Sequence, residues 1–168
     1  MPNILKEKII AVGVCGGIAA YKACDVVSKL KKAGCAVKVI MTKNSREFVS
    51  ELTFKTLSQN NVLSDMFEYF NWDVQHISVA KEADLFVIIP ATANILGKVN
   101  SGIADDLLST MIMATKSGVM FFPSMNTNMY ENITVQENIN SLKRKGYIII
   151  EPQSGSLACG DIGKGRLP

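Results

Sequence analysis

The chain has 168 residues, of which 48% are hydrophobic and 20% charged, with 18 basic against 15 acidic side chains for a formal charge of +3. That balance suits one globular domain with a sizeable core and excludes a disordered chain. Its basic residues form only short clusters, KKAG and KRKG, instead of one aromatic-interleaved stripe, and no apolar run nears the roughly 20 residues of a membrane span, so nucleic acid and membrane are both excluded as partners.

The first predicted element is a strand, KIIAVGV (8–14), a short β-branched run without polar alternation, as expected for a parallel strand buried on both faces. CGG then leads into a predicted helix over 18–34, with Ile18, Tyr21, Ala23, Val26, Val27 and Leu30 on its apolar face, four lysines outside and Gly34 as C-cap. AVKVIM (36–41) is the second strand, followed by Thr42; DLFVIIP (84–90) is the third, followed by PATAN. The stretch 90–114 continues into a helix containing Asp105, Asp106, Ser109 and Thr110. VMFFPSM (119–125), a helix over 136–146 closed by Gly146, and YIIIEP (147–152) complete the series before a glycine-rich tail.

Strand and helix in alternation predict an α/β fold, a doubly wound, Rossmann-like or flavodoxin-like parallel sheet with helices on both faces, in a single domain over 1–168. In such a sheet ligands bind beyond the carboxyl ends of the strands, so the site is expected where CGG, Thr42, PATAN, PSMN and the tail converge.

Gly16 and Gly17, between a strand and a helix start, suit either a phosphate on free backbone N–H groups or an empty tight turn. The spacing is not GxGxxG, and Thr42 stands where a dinucleotide fold offers a carboxylate to ribose, which excludes NAD; GDIGKGR and LGKV both fail the GxxxxGK[ST] pattern of an ATP-hydrolysing loop. FMN, with one phosphate and no second ribose, survives both tests. Thr92 and Asn94 fit either a helix cap or a ribityl contact.

His76 is the single histidine, either an ordinary helix-start residue or a base whose unperturbed pKa of about 6.5 suits neutral pH. Asn126 is either part of a proline-broken loop or a neutral donor to a substrate carboxylate or carbonyl. Cys15, Cys24, Cys35 and Cys159 match neither a zinc nor a CxxC pattern, and no signal peptide opens the chain; no metal, reduced thiols and a cytoplasmic location are expected. The first three read as small core residues.

Taken together, GGIAAYK, PATAN, the lone His76, PSMNTNMY and ACGDIGKGR resemble, in order and spacing from about residue 8 to 168, the homo-oligomeric flavin-containing cysteine decarboxylase family. Thr92 and Ile95 replace Ser and Thr of the family's PASANT segment, and Tyr130 replaces Trp of its PxMNxxMW motif. The resemblance implies FMN held by Gly16, Gly17, Ile18, Thr42, Pro90, Ala91, Thr92, Asn94 and Ser109. It implies decarboxylation of 4′-phosphopantothenoylcysteine to 4′-phosphopantetheine in coenzyme A biosynthesis, through a thioaldehyde and an enethiolate. His76 would be the base of the oxidative half, Asn126 the carboxylate holder and Cys159 the proton donor of the final reduction, with Met125, Ala158, Gly160 and Lys164 also contacting substrate. A trimer or dodecamer is implied, with Tyr21, Phe48, Phe54 and Phe67 offering apolar contact. So is a phosphopantothenate–cysteine ligase, fused or separate, this chain being then the decarboxylase part of a longer protein or a shortened form. A flavin prenyltransferase of the same fold and a non-catalytic flavin-binding regulatory subunit stand as alternatives.

Overall fold

The computed structural model describes residues 4–66, 75–156, 160 and 162–168, with the backbone alone at 75–77, 156 and 162. Six parallel strands form its sheet: β1 (Ile9–Val14), β2 (Ala36–Met41), β3 (Val62–Leu63), β4 (Leu85–Ala91), β5 (Gly118–Pro123) and β6 (Ile148–Ile149), in the order β3-β2-β1-β4-β5-β6. The chain winds outward from β1 to β3 and then outward from β4 to β6, so the reversal falls between β1 and β4. Their carboxyl ends open the crevice in which this architecture places ligands.

Among the described residues seven α-helices cover the two faces: α1 (Ala20–Lys32), α2 (Glu51–Ser58), α3 (Gln75–Glu82), α4 (Ala93–Ser101), α5 (Leu107–Ala114), α6 (Thr127–Glu131) and α7 (Ile133–Arg144). Alternation along β1 divides the core. Ile10, Val12 and Val14 face Ala20, Ala23 and Val27 of α1 and Phe54 of α2, whereas Ala11 faces the layer of α3, α4, α5 and α7. That second layer packs directly on the Gly13 backbone, where a Cβ would sit 2.6 Å from Leu108 Cδ1 and displace its side chain. Among the described residues, no helix is long and apolar enough to cross a membrane.

Five expected strands are present, with the last reduced to two residues, and β3 is additional. The single helix expected within 90–114 is two. Gly102, in the left-handed region at φ 71°, ends α4, and Asp106 opens α5 through a capping box in which its side chain accepts from the Ser109 N–H and Ser109 Oγ accepts from the Asp106 N–H. α1 starts two residues later than expected, which leaves Ile18 and Tyr21, 59% and 60% exposed, off the buried face. Phe54 is wholly buried under α1 and therefore belongs to the core and offers no intersubunit contact, while Phe48 is exposed and Phe67 lies outside the described residues. Cys15 and Cys35 are buried and Cys24 half-buried, all three as free thiols.

The glycine-rich tail is an antiparallel hairpin, β7 (Gln153–Ser156) and β8 (Ile162–Arg166). It is fixed at its outgoing end by Leu167, 2% exposed within the α1 core layer, whose carbonyl accepts from Lys22 Nζ at 2.8 Å.

Candidate ligand-binding cleft

A cleft of about 400 Å³ opens over β1, β4 and β5. One wall is Gly16–Ala19, the second Pro90 with Thr92–Asn94, and the third Ser124–Asn126 with Met129 and Gly165. A second cleft of about 350 Å³ shares Gly16, Thr92 and Asn94 with the first and extends past Thr42–Asn44 to Lys98 and Asp106. The two form one elongated depression.

Its shape follows from close backbone approach. A Cβ on Gly16 would lie 2.5 Å from Asn44 Cβ and 2.8 Å from the Asn44 carbonyl carbon, so only glycine lets the β1 and β2 loops pass. Gly17 borders open space, with Thr92 Cγ2 at 4.0 Å. Then α1 begins at Ala19 with no side-chain cap and no acidic residue in its first turn. Its positive end lines the cleft with no acidic side chain in its first turn, while the Ala20 and Lys22 N–H groups bond back to the Gly17 and Ala19 carbonyls.

Thr42 Oγ1, on the second cleft, is buried with no hydrogen-bond partner among the described residues. A buried hydroxyl left unpaired costs about 1–3 kcal/mol, and an acceptor on a ligand would remove that cost. An uncapped helix start, a glycine cradle and an unpaired hydroxyl are together the donor set of an anionic group.

Thr92 is the N-cap of α4, its Oγ1 accepting from the Ile95 N–H at 3.4 Å, and it also lines both clefts. Asn94 and Pro90 are on the wall; Ala91 lies behind it, its carbonyl accepting from Ser124 N–H at 3.0 Å to join the ends of β4 and β5. Ser109 is fully buried, and its hydroxyl serves the capping box with Asp106.

That capping box joins an ion cluster beside the cleft. Lys98 Nζ bridges Asp105 Oδ1 at 2.6 Å and Asp106 Oδ2 at 2.7 Å. Burial by itself would lower the Lys98 pKa, but the hydrogen bonds to Asp105 and Asp106 outweigh it and raise the group. Burial likewise favours a protonated Asp106, and the Lys98 and Ser109 hydrogen bonds overturn this, leaving the carboxyl below its usual range. Beside them the Cys15 thiol is pushed up to about 12, chiefly by burial, and stays protonated.

On the opposite wall Asn126 caps α6, its Oδ1 accepting from the Asn128 N–H at 2.8 Å, so Nδ2 is the donor end of the amide. Met125 N–H donates to Gly165 O at 3.1 Å, pinning the hairpin to the cleft rim. Gly165 has φ 141°, and a Cβ there would sit 2.2 Å from the Met125 carbonyl oxygen. Lys164 Nζ stands 3.5 Å from Glu151 Oε2 and 5.5 Å from the Tyr130 ring centroid.

The cleft thus brings together Gly16, Gly17, Ile18, Thr42, Pro90, Thr92, Asn94, Met125 and Asn126. Gly160, at φ 88°, borders neither cleft. Ala158 and Cys159 fall outside the described residues, and of His76 only the backbone, in α3, is described. Asn44, Lys98 and Ser124 line the clefts without having been singled out. Lys98 was findable, one helical turn after Asn94; the role of Gly165 depends on a partner 40 residues away in the chain and had no local signal.

A family profile described as Flavoprotein matches residues 2–168. The coenzyme A biosynthesis bifunctional protein CoaBC of Bacillus subtilis (strain 168) is 48% identical over 165 residues, which are 98% of this chain and 41% of that protein. The chain thus spans about two-fifths of the length of that relative. Among solved structures, a PPC decarboxylase mutant complexed with pantothenoylaminoethenethiol superposes with a TM-score of 0.86 at 29% identity, covering 97% of this chain and 92% of the other. The FMN-dependent cysteine decarboxylase SpaF gives a TM-score of 0.86 at 29% identity, covering 95% and 91%.

Proposed function

As the chain belongs to the flavoprotein family, we propose that it binds FMN along the joined clefts and decarboxylates 4′-phosphopantothenoylcysteine to 4′-phosphopantetheine, a step of coenzyme A biosynthesis. The observation that carries the reading is the polarity of the cleft. Thr42 Oγ1, buried and without a partner among the described residues, lines the second cleft; Gly16 joins the two clefts; and the start of α1 shares the first with the Asn126 amide, a neutral donor.

Gly16, Gly17, Ile18 and Thr42 would hold the FMN phosphate, and Pro90, Thr92 and Asn94 the ribityl chain and ring, with Ala91 and Ser109 supporting them from behind. When bound, FMN accepts two electrons and a proton from the cysteinyl CH₂–SH and returns them after CO₂ has left. That chemistry is needed because a cysteine carboxylate has no electron sink. With C=S next to the carbon that carries the carboxylate, loss of CO₂ leaves an enethiolate and no localised carbanion.

The residues of the chain move the protons and hold the acid. His76 takes a proton in the oxidative half. Asn126 Nδ2 donates to the substrate carboxylate, positioning it without a positive charge that would stabilise the ground state. The Cys159 thiol gives its proton to carbon in the final reduction. Met125 on the cleft wall would contact the substrate, and Ala158, Gly160 and Lys164 would reach it from the hairpin, Gly160 and Lys164 lying outside the cleft lining. The B. subtilis relative, described as bifunctional, supports a ligase fused to or working with this domain. A cytoplasmic homo-oligomer, a trimer or a dodecamer, is the assembly expected. These relatives favour the decarboxylase over a flavin prenyltransferase or a regulatory subunit.

The test uses purified FMN-loaded protein under anaerobic conditions with 4′-phosphopantothenoylcysteine, following CO₂ and product mass. Wild type is expected to give the saturated product, and Cys159→Ser to release CO₂ while accumulating the enethiol. A yellow protein that releases no CO₂ overturns the reading.

A further inference from the structure

Behind the Asn126 wall a phenol, a carboxylate and two ammonium groups meet at the root of the hairpin, and none of them lines the cleft. Tyr130, 3% exposed, donates its hydroxyl proton to Glu151 Oε2. Lys143 Nζ donates to Glu151 Oε1 at 2.5 Å, and Lys164 Nζ approaches Oε2 from β8 at 3.5 Å. Gln136 Nε2 donates to the Tyr130 carbonyl at 2.5 Å. Burial first, then the hydrogen bond and charge of Glu151, push the Tyr130 hydroxyl up to about 12, while the Lys143 and Tyr130 hydrogen bonds bring Glu151 down to about 2. The carboxylate is therefore ionised and the phenol neutral throughout the working range.

The partners of this one carboxylate come from α6, α7 and β8, and Glu151 itself lies two residues before β7. Tyr130 N–H donates to Asn126 O at 2.9 Å, so the phenol is tied to the residue that caps α6 on the cleft wall. The two hairpin strands flank residues 157–161, which include Cys159. Glu151 consequently joins the element that carries Asn126 to the element whose connection carries Cys159. The Asn126 cap itself, a bond to Asn128, does not depend on Glu151.

Resting on the decarboxylase reading above, we propose that Glu151 is a positioning residue for the reductive half of the reaction. Acting through Tyr130 and Lys164, it fixes the hairpin against the Asn126 wall, and so governs how much enethiol is carried on to the saturated product and not how fast CO₂ is lost.

The experiment is an anaerobic single turnover of the FMN-loaded protein with 4′-phosphopantothenoylcysteine, reading CO₂ and the ratio of saturated product to enethiol by mass. Wild type must release CO₂, and its failure to do so refutes the decarboxylase reading itself. With wild type active, Glu151→Gln is expected to keep CO₂ release within about twofold, as for a change away from the chemistry, and to move the ratio about tenfold toward enethiol, the scale of one charge-assisted hydrogen bond. Tyr130→Phe, which removes only the hydroxyl, is expected to shift the ratio in the same direction. Ile139→Val, in the buried core of α7 and away from the hairpin, provides the stability control and is expected to leave it unchanged. If CO₂ and saturated product fall in parallel in Glu151→Gln and Tyr130→Phe, or if Ile139→Val moves the ratio as far, Glu151 only supports the fold and the proposal is wrong.

Discussion

Thr42 separates ligand binding from folding stability. Its hydroxyl is buried and has no partner among the described residues, so Thr42→Val removes a polar atom that they leave unsatisfied. The apo variant is expected to be more stable by about 1 kcal/mol, while its FMN dissociation constant rises about tenfold, the value of one hydrogen bond to a charged acceptor. Urea unfolding and flavin fluorescence titration check the two signs; a variant that loses stability and keeps its affinity would show that the hydroxyl faces no ligand. At this scale the sequence was legible where a residue's type is itself the signal. Gly16, Thr42, Thr92 and Asn126 were readable from their positions after apolar runs, but Asn44 and Gly165 act through partners distant in the chain.

The hairpin shows what a two-stranded element gains from being pinned. Gly165→Ala places a Cβ against a backbone oxygen at φ 141° and is expected to cost about 1–3 kcal/mol by overpacking. Gly102→Ala, with nothing within 4 Å of the new Cβ, is expected to cost only the left-handed strain of about 1 kcal/mol. Chemical denaturation of the two variants checks the order. The Glu151 cluster adds a pH dependence. The folded pKa of about 2 lies below the usual 4.5, so the stabilisation is present above 4.5 and is lost as pH falls toward 2. The urea-midpoint gap between wild type and Glu151→Gln is expected to be small, given a carboxylate 44% exposed, and to shrink between pH 6 and about pH 3. Elements with dense apolar runs were legible. β3 has two residues, too few to show a period, and the hairpin's glycines and serines carry no alternation; both form because a sheet edge or the α6 wall is there to receive them.

For the molecule as a whole, the strand and helix alternation made a doubly wound sheet legible, and with it the convergence of the strand-end loops. Strand order was not, because nothing local tells β4 to pair with β1 and leave β3 at the edge. The split of 90–114 lay in plain view in Gly102 and the Asp-x-x-Ser pattern, and a continuous apolar reading concealed it.

The cleft walls run from Gly16 to Gly165, nearly the full span of the chain. No fragment folded from one end holds both walls, so bound flavin reports chain closure and its colour is a gauge of completed refolding. By mass action the ligand adds to the stability of the entire domain and not to one loop. Calorimetry with increasing FMN should therefore move a single transition to higher temperature, with no lower-melting shoulder left behind.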